Sequence, residues 1–136
     1  MTVHVKPNAL SFCSIFIEAF FGETKLGIAT GFFWRHDNQD YLVTNWHVLT
    51  GFHPDSRQAI SSDGATPDFL RIWLHTTEQL GRWDSYDLPL YDNQGRPLWR
   101  EHTLYKSKVD VALLPVKIPG NFRSFPINKV EFDELK

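Results

Sequence analysis

The sequence predicts an all-β domain, and three observations carry that prediction. Short apolar runs rich in β-branched and aromatic residues recur along the chain, separated by turn clusters. Residues 69–75, Phe-Leu-Arg-Ile-Trp-Leu-His, alternate apolar and polar in the way of a half-buried strand. No stretch sustains a helical period, and no internal repeat or low-complexity segment interrupts the pattern. Six or seven short strands at such spacing make a small barrel or sandwich.

The elements follow in order. Residues 1–8 are a polar lead-in. Residues 11–21 form the first strand, with a turn at 22–25. Residues 26–35 return as the second strand of a hairpin, in which Gly27 and Gly31 mark a bulge, a tight bend or a close backbone approach. The polar cluster 36–40 turns the chain into a third strand at 41–45. Residues 46–50 form a single helical turn closed by Gly51. Residues 52–68 carry Pro54, Gly64 and Pro67 and have the least regular pattern of the chain. After the strand at 69–75, residues 82–91 and 96–102 flank Asp92-Asn93-Gln94-Gly95, a turn of the hairpin kind. Residues 109–116 are the last strong strand. The division is a lead-in at 1–8, a barrel at 9–117 and a linker or tail at 118–136.

Composition narrows the function classes. A chain of 136 residues with 42% hydrophobic and 15% aromatic content is one globular domain with a modest core. A net charge of -2 and the absence of a Lys/Arg cluster argue against nucleic acid as a partner. Cys13 is the one cysteine, so no internal disulfide forms and a reducing compartment is expected. The apolar residues 9–21 contain Glu18, have no cleavage site and fall short of a membrane span. The expected localisation is cytoplasmic, with no membrane partner.

Two residues suggest chemistry. His47 ends a short apolar strand between Trp46 and Val48, where the scaffold places it. Asp110 sits within Val-Asp-Val-Ala-Leu-Leu, where a carboxylate needs a partner to tolerate burial. A carboxylate acceptor fixes the tautomer of an imidazole and stabilises the imidazolium it becomes. Each residue alone has a plainer reading: a strand-end histidine is most often structural, and an aspartate opening a strand is often a turn or edge residue. Among His4, His36, His47, His53, His75 and His102 no pair stands at helical ligand spacing, so neither a metal nor a cofactor is expected.

Taken in order, Gly-Ile-Ala-Thr-Gly-Phe at 27–32, Tyr-Leu-Val-Thr-Asn-Trp-His-Val at 41–48 and Val-Asp-Val-Ala-Leu at 109–113 resemble the trypsin-like serine peptidases. Leu-Pro-Leu-Tyr at 88–91 and Pro-Leu-Trp at 97–99 fit the same order, and the likeness spans roughly residues 12–116. It is nearest to the disulfide-free bacterial branch. Where secreted members place a cysteine after the histidine, this chain has Val48. The resemblance implies a six-stranded antiparallel Greek-key barrel, the N-terminal half of a two-barrel fold. It implies His47 as general base, Asp110 as the residue that orients it, and a protein or peptide substrate.

The family's nucleophile is missing. Its serine sits in Gly-Asp-Ser-Gly on a second barrel, and only 26 residues of this sequence follow Asp110. Ser124 has no neighbouring glycine, Ser61 and Ser62 fall before Asp110 in the wrong order, and Cys13 reads as a packed core thiol. The expectation is an N-terminal barrel inactive alone, with the second barrel as its partner. The alternative is a non-catalytic barrel that binds protein or associates with itself through its apolar inter-barrel face.

Overall fold

The computed structural model describes residues 12–79, 81–105 and 108–129. The polar lead-in 1–8 and the charged end of the tail, 130–136, lie outside them. Ile15–Phe21 (β1) turns at Gly22, whose φ of 58° suits a residue without Cβ, and returns as Thr24–His36 (β2). The register slips between Ala19 and Phe20, which leaves Leu26 as the extra residue next to Gly27. Gly31 marks a close approach: a Cβ there would lie 2.7 Å from the Val43 carbonyl oxygen and 2.9 Å from Ile17 Cδ1.

Asp37 and Asn38, at φ 48° and 62°, form the two-residue turn into Gln39–Thr44 (β3). Positive φ at both central positions matches the right-handed twist of the strands, and Asp and Asn tolerate it better than most residues. Trp46–Thr50 (α1) is the single helical turn expected, ended by Gly51 in the left-handed region at φ 76°. Phe69–His75 (β4) agrees with the sequence reading residue for residue. Trp83–Pro89 (β5), Arg100–Glu101 (β6) and Ala112–Val116 (β7) complete a single antiparallel sheet in the order β5-β4-β1-β2-β3-β7-β6.

The class is all-β, as expected, but the described residues contain seven strands rather than six. Six is the count the resemblance implies; the residue pattern already separates 82–91 from 96–102, and the structure keeps those arms as β5 and the two-residue β6. Between them the Asp92 carboxylate accepts from the Gln94 and Arg96 backbone N–H groups.

The core lies on one face of the sheet. Ile15 and Ile17 of β1, Leu42 of β3, Leu70 and Ile72 of β4 and Leu114 of β7 are all 3% exposed or less. Period-two alternation brings them to that face, and Leu49 of α1 joins them. The described part of the stretch read as a linker or tail packs on the sheet. Phe122 is buried and bridges to Thr76, Ser124 donates to the Asp40 carboxylate at 2.9 Å, and Asn128 bonds both backbone groups of Arg35.

Candidate functional site

The β3–β7 ladder determines what meets at its end. Thr44, the last residue of β3, pairs with Ala112, the first of β7. The strands are antiparallel, so the chain leaving β3 and the chain entering β7 occupy the same end of the sheet. His47 lies three residues beyond that pair and Asp110 two before it. Two sequence-predicted residues, 63 positions apart, are thus brought into contact by the register.

The contact is double. Asp110 Oδ1 accepts the His47 backbone N–H at 2.9 Å, and Oδ2 lies 2.6 Å from His47 Nδ1. An ionised carboxylate only accepts, so the ring proton belongs on Nδ1 and the lone pair on Nε2. Among the described residues Nε2 takes no protein hydrogen bond. The His47 and Asp110 side chains are 38% and 33% exposed, so the pair sits at a rim and not in the core. This is the arrangement of a base: oriented at one nitrogen, open at the other.

The backbone around the pair is anchored from several sides. Asn45, in the extended conformation at the helix N-cap, makes no side-chain capping bond. Its amide instead donates to the Asp110 carbonyl oxygen at 3.1 Å. Trp46 is 5% exposed, and its indole N–H donates to Glu101 Oε2 of β6 at 2.6 Å. Gly51 lets the chain turn tightly against the next loop, since a Cβ there would come within 2.9 Å of Pro67 Cδ. Nothing local in the sequence announces these contacts, because each joins residues far apart in the chain.

A pocket of about 200 Å³ opens beside His47, between β2 and the irregular loop 52–68. A second and broader groove of about 580 Å³ runs past Thr30, Gly31, Val43, Asn45 and Val111, at the strand ends that carry the pair. The other nucleophile candidates lie elsewhere or are occupied. Ser124 is engaged by Asp40, where burial raises the carboxyl pKa but Arg35 and Ser124 together bring it below the usual range. Ser61 lines the pocket beside His47, but its hydroxyl is directed to Asp63 at 2.5 Å. Cys13 is buried, and burial pushes its thiol pKa up, away from the reactive thiolate. Among the described residues no group of three His, Cys, Asp or Glu side chains could hold a metal ion. Nor is any helix among them long and apolar enough to cross a membrane.

No family model, curated protein or solved structure matches this chain. The functional reading therefore rests on the site itself.

Proposed function

We propose that this chain is the base-bearing barrel of a trypsin-like serine endopeptidase, and that a second barrel brings the nucleophilic serine and the oxyanion hole. The observation that carries the reading is the two-point grip of Asp110 on His47, at the backbone N–H and at Nδ1. A structural histidine needs no such arrangement with its other nitrogen left open. In the proposed reaction Nε2 takes the serine hydroxyl proton as the oxygen attacks the peptide carbonyl. Asp110 stabilises the imidazolium, and the ring returns the proton to the departing amine as the C–N bond breaks. Water then repeats the cycle on the acyl-enzyme.

The proposal includes the finer architecture. The two ends of the strand order, β5 and β6, are successive in the chain. Leu98 N–H donates to the Leu90 carbonyl oxygen across the turn between them at 2.9 Å. Taken as two parts of one bent strand, they close the sheet into a six-stranded Greek-key barrel. The groove past Gly31 and Val111 is then the seat of the second barrel. It would serve equally as the contact face of a non-catalytic binding or self-associating module.

Two experiments test this. In the chain itself, nitrogen-15 spectra of the imidazole should show His47 with its proton on Nδ1, and Asp110→Asn should abolish that preference. A His47 ring whose tautomer ignores Asp110 would remove the base. In the complex of this chain with its second barrel, whether joined to it or on another chain, a serine-reactive phosphonate should label a serine. Asp110→Asn should slow that labelling by about four orders of magnitude. Labelling that survives His47→Ala would rule out the peptidase reading. Absence of any labelling, with association through the Gly31 groove, would favour the binding module.

A further inference from the structure

The pocket beside His47 is built from two features that the base itself does not need. One wall is β2 at its bulge, with Leu26 and Ile28, and the other is the loop after α1, with Ile60 and Pro67. Ile28 and Ile60 are 66% and 45% exposed, an open disposition for two aliphatic side chains lining one pocket. Among the described lining residues Ser61 carries the one hydroxyl, and it is turned to Asp63. Among the described lining residues His47 is the only group able to carry charge. The remaining walls are aliphatic or small, and water within them finds few partners, so an apolar group gains by displacing it.

The position of the pocket relative to the ring decides which part of a substrate meets it. In acyl transfer the base hands its proton to the departing nitrogen, so that nitrogen must come within hydrogen-bond reach of Nε2. The residue that carries this nitrogen therefore passes the imidazole, and the imidazole lines the pocket. We infer that the pocket takes an aliphatic side chain of leucine or isoleucine size from the substrate residue bearing the departing amino group. This rests on the acyl-transfer reading of His47. It makes loop 52–68 a determinant of cleavage preference, with Ile60 its principal contact and Ile28 the facing one.

The test uses the isotope-labelled chain and a single-residue stand-in for the amine product. Leucinamide, titrated into the protein, should shift the backbone amide resonances of Gly27, Val48 and Gly51 and saturate. Glycinamide, which lacks the side chain, should bind about tenfold more weakly or worse, as expected for one buried aliphatic group. Lysinamide should also lag, because the described lining carries no carboxylate for its ammonium. Ile60→Ser and Ile28→Ser, both at exposed positions, should each bring leucinamide towards the glycinamide value with the amide spectrum otherwise intact. Equal binding of leucinamide and glycinamide would overturn the inference, as would shifts confined to another face or indifference to both substitutions. The Asp110→Asn protein separates this result from the base reading. Leucine selectivity that persists there, with the Nδ1 proton lost, supports pocket and base alike. Missing selectivity beside an intact, Asp110-dependent Nδ1 proton overturns the pocket alone.

Discussion

Two of the histidines, His47 just past β3 and His75 at the end of β4, sit in opposite surroundings. His47 follows β3, keeps its side chain 38% exposed, and has Nδ1 against a carboxylate. His75 closes β4, is 4% exposed, and its Nδ1 accepts the Gly81 N–H at 3.1 Å. The Trp83 ring lies 3.7 Å from the His75 ring between centroids, with Phe12 and Phe125 at 5.0 and 6.2 Å. An acceptor beside Nδ1 places the ring proton there and leaves Nε2 a base, whereas a donor beside Nδ1 forces the proton onto Nε2. In His75 that N–H is buried with no hydrogen-bond partner among the described residues. The partner of one nitrogen, and not the position near a strand end, separates an oriented, open ring from a packed one.

Truncation should break the comparison most visibly. His75→Ala removes a ring from a packed aromatic box and should cost on the order of 3 kcal/mol in urea unfolding. His47→Ala, at the rim, should cost less than about 1 kcal/mol. Equal losses would mean that His47 is a core residue after all.

The pH dependence of stability should separate the two next. Burial, with the nearby Arg123 charge, holds the His75 pKa below its ordinary value of 6.5. The unfolded chain therefore takes up the proton first as pH falls, so the unfolded state binds more protons and stability rises with pH. The His75 contribution should be fully present above about 6.5 and decline as pH falls through the lower folded value. His75→Phe should flatten that decline, and a profile unchanged by the substitution would remove His75 as its source.

The smallest effect sharpens the His47 side. Trp46→Phe keeps the buried ring but deletes the indole bond to Glu101, and should cost about 1 kcal/mol in thermal unfolding. It should also broaden the His47 ring signals while leaving those of His75 unchanged. Broadening at both histidines would show that the two corners are not independent.

Much of this layout was legible from residue pattern. β4 alternates without interruption, so its ends are visible in the sequence. Gly31 and Gly51 read as special positions because a Cβ fits neither. The meeting of His47 and Asp110 was expected from the resemblance and not from the strand pattern, which put Asp110 inside the strand at 109–116, whereas β7 begins at Ala112. β6 was not, since two residues carry no period and are a strand only by virtue of β7 opposite them. The grip of Glu101 on Trp46 and the aliphatic pocket wall were equally silent. Both depend on chain segments that become neighbours only in the folded sheet, and loop 52–68 has a turn-rich composition whether or not it lines a pocket. His75 looked like any alternate residue of its strand, because burial is decided by the aromatic rings packed on it from elsewhere.

The orienting bond between His47 and Asp110 spans 63 residues, and the register that creates it belongs to β3 and β7. Until that long-range ladder closes, His47 is an unoriented side chain on an untethered turn. The contact between His47 and Asp110 thus forms late, after the local hairpin of β1 and β2 has every opportunity to form. The Nδ1 proton is therefore also a clock for assembly. Its appearance in a refolding experiment marks the moment at which the most distant parts of the sheet have found each other.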